Sequence, residues 1–198
     1  RHQPGTIAYS PELIWEVLQQ TLDELSRNGF KKIIIFNGHG GNSAFLNYFG
    51  MAQLSEERDY ALYWFQPSYD SEVLKKAESL TQKDPYDQHA GNRETSMVKA
   101  IVPDLVHPEK AGQQSGRDLE RLNDLPHVYT GIWWYASYPN HYSGDGSKAN
   151  AEAGELILNS VVNQFVETIK NIKADKNVPE LQEQFFREAE NPLGTNQK

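Results

Sequence analysis

The sequence predicts a layered α/β fold built on a mostly parallel sheet. Three observations carry that expectation. Helical and strand-like segments alternate along the first third of the chain, as they do in layered α/β proteins. The run "KKIIIF" (31–36) is β-branched with no polar alternation, so it reads as a central parallel strand buried on both faces. A glycine-rich turn, "NGHGGN" (37–42), follows directly and opens into a helix, at the strand end where open sheets bind ligands.

The first helix, over 10–29, has both ends marked. Ser10 suits the N-cap, Pro11 the first helical position, and Asn28-Gly29 a left-handed stop. Leu13, Ile14, Val17, Leu18, Leu22 and Leu25 recur near helical spacing and predict one buried stripe. After the glycine turn, residues 43–57 read as a helix and "YALYWF" (60–65) as the next strand. Helices are expected at about 70–81 and, within "YDQHAGNRETSMVKAIVPDLV", from Asn92 to Ile101, where Pro103 ends the second. Residues 107–147 are rich in Gly, Pro, His and aromatics and lack periodicity, which marks a functional stretch. A long amphipathic helix follows, with Ser147 as its expected cap and Val161, Val162, Phe165, Val166 and Ile169 as its core face. From Ala174 the chain is polar and charged, with a helical candidate at 181–189. The expected division is an α/β domain at 1–173 and a polar C-terminal extension at 174–198.

Composition narrows the function classes. The chain has 198 residues, 38% of them hydrophobic and 23% charged, as in globular proteins with a core. A net charge of −8 without a basic stripe argues against nonspecific nucleic-acid binding. No apolar run approaches the roughly 18 residues of a membrane span, so neither nucleic acid nor membrane is an expected partner. The absence of cysteine excludes disulfides, thiolate metal sites and cysteine nucleophiles, and leaves cytoplasm and periplasm both open.

Two stretches could carry chemistry. In "NGHGGN" the glycines let backbone N–H groups approach an anion, or let His39 stand over the sheet edge without crowding a ligand. Neither G-x-x-x-x-G-K-[ST] nor G-x-G-x-x-G is present, so a phosphate loop is the weaker reading. A structural loop whose His39 bonds backbone is the plain alternative. "DQHAGNRETS" (87–96) gathers Asp87, His89 and Glu94 at a loop-to-helix junction. Histidine is both a common metal ligand and an acid/base near neutral pH. Glu94 falls in a first helical turn, where the helix dipole or a capping role explains it equally. Two histidines and a carboxylate on separate loops suit a zinc- or manganese-type site.

"NGHGGN", then "HAGNRETS", then "GDGSKANAEAGELIL" resemble the creatininase (creatinine amidohydrolase) family, in its glycine-rich branch, over roughly residues 4–170. The resemblance implies a three-layer α/β/α fold, a hydrolase acting on C–N bonds, two divalent metal ions (zinc, manganese or iron) bridging a water, and a homo-oligomer, often a hexamer. It implies metal binding by His39 and Glu94 and proton transfer by His89. Asp87 either orients His89 or caps a turn. Gly40, Gly41 and Trp64 fall where the family lines its substrate site. Trp134 belongs to the aromatic stretch 131–143, which reads equally as pocket wall or subunit interface.

The departures bear on substrate and extent. Creatininase proper resembles N-G-H-Y-E-N in the first motif, whose glutamate binds metal and whose tyrosine lines the pocket; Gly41 and Gly40 stand there here. A Trp-Asp pair before the second histidine is Pro85-Tyr86 here, so creatinine is not the expected substrate. The family's early E-x-H-G-x-H-L-P-x-x-x-D motif has no match in this chain, which is therefore expected to be the C-terminal portion of a longer protein. The competing reading is a non-catalytic α/β module that binds a small anion or completes an oligomer.

Overall fold

The computed structural model describes residues 1–195, which divide into two compact units: residues 1–67 with 164–195, and residues 68–163. Residues 196–198 of the expected extension lie outside the described residues.

In the first unit, helix α1 (Pro11–Arg27) begins where Ser10 Oγ accepts from the Leu13 N–H at 3.2 Å and Pro11 presets the first turn. It stops at Asn28, with Gly29 beyond it at φ +96°. Strands β1 (Lys32–Phe36) and β2 (Ala61–Phe65) pair in parallel, with Ile35 opposite Trp64 and Phe36 opposite Phe65. Helix α2 (Ser43–Ala52) connects them and passes into a short 3₁₀ turn, Gln53–Ser55, so the expected 43–57 helix ends early. Leu22, Ile33, Phe49 and Tyr60 form the buried core, flanked by Trp15, Leu18, Leu25, Phe45 and Leu62.

Two expectations about this unit change. Only part of the α1 stripe is covered: Leu22 is buried, whereas Leu13, Ile14 and Val17 remain 42–57% exposed. They line a groove of about 800 Å³ with Tyr9, Phe36 and Phe45. The isoleucine strand is also not enclosed on both faces. Among the described residues β1 has β2 as its one strand neighbour, so Ile33 alone of the three is buried while Ile34 and Ile35 are half-buried.

A buried polar network braces the core. Gln19 Nε2 donates to Tyr60 Oη at 2.9 Å, Gln53 Nε2 to Gln19 Oε1 at 2.9 Å, and Tyr60 Oη to Gln53 Oε1 at 3.0 Å. Each buried polar atom needs such a partner, because leaving one unmet costs about 1–3 kcal/mol. Lys32 Nζ donates to the carbonyls of Ile172 and Lys173 at 2.8 and 3.1 Å, a cation on the orphan carbonyls of a helix end. Tyr63 Oη donates to Asp175 Oδ2 at 2.7 Å; burial and that carboxylate push the phenol pKa up. The tail then forms a helix longer than the 181–189 candidate, Asn177–Ala189, whose Gln182 Nε2 reaches the Tyr60 carbonyl at 3.3 Å.

In the second unit, α3 (Ser71–Leu80) is capped by Asp70, whose Oδ1 accepts from Glu72 and Val73 N–H at 2.9 and 3.0 Å. Helix α4 (Asn92–Ile101) follows as the sequence predicts. The aperiodic stretch holds a 3₁₀ segment, Pro108–Gln113, and a short helix, α5 (Trp133–Ser137). Helix α6 (Ala151–Ala174) contributes its residues up to 163 to this unit. Ala77, Ala153 and Ile157 make the core, with Val73, Leu80 and Met97 against it. At Gly154 a Cβ would run into the Ser96 carbonyl, so glycine is what lets α6 and α4 approach. The α6 cap is Asn150 rather than Ser147: Asn150 Oδ1 accepts from Glu152 and Ala153 N–H at 2.8 and 3.3 Å. A tertiary bond, from Asn150 N–H to Ser96 Oγ at 3.0 Å, fixes that choice.

Phe49 is fully buried, and Trp15 packs on it at a ring-centroid distance of 4.8 Å. Phe49→Ala is expected to lower unfolding free energy by about 3–5 kcal/mol in urea titration. A change below about 1 kcal/mol would show that this cluster does not organise the first unit.

Candidate functional site

The candidate residues fall in both units: His39, Gly40, Gly41 and Trp64 in the first, and Asp87, His89, Glu94 and Trp134 in the second.

The His39 loop is set by the strand before it. The Asn37 N–H donates to the Phe65 carbonyl at 2.8 Å and so extends the β1–β2 pairing by one step. The Asn37 side chain, 3% exposed, turns beneath the loop, where its Oδ1 accepts from His39 N–H at 3.2 Å and Asn42 Nδ2 at 3.3 Å. His39 itself is exposed and extended (φ −138°, ψ 124°), and caps the 3₁₀ turn Gly40–Asn42 through the Asn42 N–H to His39 carbonyl bond at 3.1 Å. The two glycines differ. A Cβ on Gly41 would lie 2.6 Å from His39 Nε2, whereas one on Gly40 would meet open space. Gly41 therefore gives the imidazole its room and Gly40 leaves the approach clear. Trp64 is half-buried near the end of β2. Asn37, which sequence reading passed over, is the pillar of this loop, and its position at a strand's last step was the available signal.

In the second unit the turn 87–91 launches α4. Asp87 Oδ2 accepts from the Arg93 N–H at 3.0 Å, and Arg93 Nη2 donates back to the Asp87 carbonyl at 3.1 Å. This is an N-terminal capping arrangement, so of the two roles open to Asp87 it is turn-capping that the geometry displays. Asp87 Oδ1 is buried without a hydrogen-bond partner among the described residues. Burial raises the Asp87 pKa, against the lowering effect of the Arg93 N–H and guanidinium.

The carboxylate beside His89 is Glu94, with His89 Nδ1 3.5 Å from Glu94 Oε2. Glu94 Oε2 also accepts from the Ala90 N–H at 2.7 Å, reaching back over the turn as a third-position glutamate does in a capping box. Trp134 stands edge-on to His89, ring centroids 5.9 Å apart and planes at 87°. The backbone holds the two segments together: His89 N–H donates to the Ser143 carbonyl at 3.1 Å and Ser143 N–H to the His89 carbonyl at 3.0 Å. Ser143, wholly buried, adds Oγ to the Tyr86 carbonyl at 3.0 Å. His89, Glu94 and Trp134 are thus brought together, and His141 joins them with its ring 6.3 Å from His89.

Imidazole and carboxylate are the right donors for a zinc- or manganese-type ion. Among the described residues, however, no three His, Asp or Glu side chains are gathered in a metal-holding group. A closed or catalytic zinc site uses three or four protein ligands, so this donor set is partial.

A parallel strand pair with helices and a histidine loop at the carboxyl end of one strand places the chain among α/β proteins. Residues 1–169 match the creatininase (creatinine amidohydrolase) family, and the chain belongs to it. It is 27% identical over 185 residues to the creatinine amidohydrolase of Pseudomonas putida, a match covering 85% of this chain and 66% of that protein. The chain therefore spans about two thirds of the length of that relative. Among solved structures, a creatinine amidohydrolase (creatininase) superposes with a TM-score of 0.70 at 23% identity, over 88% of this chain and 69% of that one. A manganese form of creatininase gives 0.66 at 22% identity, over 86% and 67%. A Zn–Zn form gives 0.68 at 23%, also over 86% and 67%. The fold is accordingly the α/β creatininase-like fold.

The burial of Asp87, which outweighs the lowering effect of its capping bond, has a measurable consequence. A raised carboxyl pKa means that the native state holds its proton more tightly than the unfolded chain does. Stability is then greatest below the ordinary aspartate pKa and declines as pH rises through the raised one. Asp87→Asn keeps the capping oxygen and removes the charge, so its melting temperature is expected to equal or exceed wild type at pH 7 while losing that decline. Asp87→Ala loses the cap and is expected to cost about 0.5–2 kcal/mol. Thermal melts from pH 3 to 8 test both; Asn and Ala variants of equal stability would remove the cap from this account.

Proposed function

We propose that this chain forms part of a metal-dependent amidohydrolase that cleaves a C–N bond in a cyclic amide, a formamide or a related small molecule. The observation that carries the reading is an imidazole flanked by a carboxylate and an indole, His89 with Glu94 and Trp134, in a chain belonging to the creatininase family.

The proposed roles follow from position. His39 in the first unit, with its ring clear above Gly41, and Glu94 in the second, in the first turn of α4, are each proposed to ligate a divalent ion. Zinc and manganese forms of creatininase among the structural relatives support this choice of ion. Such ions, when bound, lower the pKa of a water and polarise a carbonyl oxygen. His89 delivers a proton to the departing nitrogen, a step for which imidazole is the side chain most often used. Asp87 acts from its cap, holding the turn from which His89 projects.

In the first unit Gly40, Gly41 and Trp64 are proposed as substrate neighbours, and in the second Trp134 is. The open space at Gly40 supports a substrate other than creatinine, for which the family's tyrosine at that position supplies a wall. Residues 1–173 constitute the creatininase-like domain in this reading and 174–198 an extension to it. Exposed Ile101, Leu105, Val128 and Tyr129 support assembly into a homo-oligomer, a hexamer by family likeness.

Two measurements on the full-length protein test this. His89→Gln is expected to reduce kcat for the best amide or formamide substrate by about 10²- to 10⁴-fold with little change in stability. Undiminished turnover would remove His89 from proton transfer. Metal analysis is expected to find bound divalent ions, and chelation to abolish activity and lower the melting temperature. A protein that binds no metal and melts identically with chelator is a non-catalytic module instead.

A further inference from the structure

The aromatic stretch after residue 130 contains a second imidazole that the reading above does not use. Trp134 Nε1 donates to His141 Nδ1 at 3.1 Å. The rings of His89, Trp134 and His141 form a near-regular triangle, with centroid separations of 5.9, 6.4 and 6.3 Å around its three sides. Trp134 is the pivot. It lies edge-on to His89, and its other neighbours are Tyr138 at 4.8 Å and Trp133 at 5.3 Å.

The backbone delivers His141 to this place at a cost. His141 sits at φ +59°, a left-handed conformation uncommon outside glycine but several-fold enriched for Asn, Asp and His. Its N–H donates to the Tyr138 carbonyl at 3.0 Å, and the Tyr142 N–H donates to Asn140 Oδ1 at 3.2 Å. Two residues on, Ser143 makes the reciprocal backbone pair with His89. The same turn therefore fixes the His89 backbone through Ser143 and its ring through Trp134 and His141.

We propose that His141 is a positioning residue: by accepting the indole N–H of Trp134 it locks that ring against His89, and so holds the His89 imidazole at Glu94. The hydrogen bond also sets the His141 tautomer. With Nδ1 as acceptor, the neutral ring carries its proton on Nε2. An edge-on ring contact adds little stability beyond burial. Its value here is orientation, since a misplacement of about 1 Å at a reacting group can cost as much as 10²-fold in rate. The inference rests on His89 as the proton donor of the proposed reaction, but the ring packing can be tested without any substrate.

The variants separate the ring contact from the backbone. His141→Asn tolerates the left-handed backbone and offers Oδ1 to the indole. His141→Ala keeps neither feature. Trp134→Phe keeps an aromatic ring and removes the donor. Imidazole ¹⁵N spectra of the full-length protein at alkaline pH are expected to show His141 as the Nε2–H tautomer, and Trp134→Phe to abolish that preference. His89 ring signals are expected to shift or broaden in His141→Ala and to return toward wild type in His141→Asn. In turnover with formanilide as probe, His141→Ala is expected to lower kcat about tenfold with KM within about twofold, and His141→Asn to recover most of it. In a His89→Gln background, His141→Ala is expected to have no further effect on kcat, because a positioning residue has nothing left to position.

An Nδ1–H tautomer at His141, or His89 signals indifferent to His141→Ala, overturns the proposal. So does equal loss of kcat in the Ala and Asn variants, which would make the His141 imidazole a direct participant. If no probe is hydrolysed while the spectra behave as expected, the pairing stands and the amidohydrolase reading is what fails.

Discussion

The parallel pairing of β1 with β2 is the constraint on which the first unit depends. Because the strands run in the same direction, their carboxyl ends lie together, and every loop leaving them opens on the same edge. Asn37 carries the ladder one residue past β1, then spends its side chain on the loop it has just begun. A single buried amide thus converts strand register into the position of His39. The groove beside that loop, with Leu13, Ile14 and Val17 left partly exposed, follows from the same fact: β2 covers one edge of β1 and α1 lies along the isoleucines.

The second unit solves a different problem. The turn at 87–91 is short, polar and followed by a helix, so it needs partners at its orphan donors. Asp87 serves the Arg93 N–H, Glu94 the Ala90 N–H, and Ser143 the two backbone groups of His89. Two of the residues that look catalytic on paper, Asp87 and Glu94, therefore also do the ordinary work of ending a turn and starting a helix. The two roles are compatible, because an acid/base residue is most useful when its backbone cannot move.

Much of this was legible. The α1 caps, the strand–loop–helix order, α3, α4 and the tail helix all follow from local rules of capping and periodicity, which act over three or four residues. Asp87, His89 and Glu94 were legible as a group because they lie within one turn. Their division of labour was not. Which carboxylate stands beside His89 depends on the turn's φ/ψ path, including Ala90 at φ +55°, and no spacing rule encodes that. Ser147 and Asn150 are equally good caps on paper, and the bond from the Asn150 N–H to Ser96 Oγ, on a helix far back in the chain, chooses between them.

By itself, then, the sequence determined the element order, the two histidine motifs and the family to which they belong. It did so because propensity, capping and motif spacing are short-range properties. The tertiary structure alone decided that the aperiodic stretch folds back on the His89 turn and brings His141 into ring contact with it. That outcome rests on a backbone pair between His89 and Ser143 and an indole–imidazole hydrogen bond. The first joins segments far apart in the chain, and the second closes a seven-residue turn whose path includes His141 in a left-handed conformation, so neither follows from short-range rules.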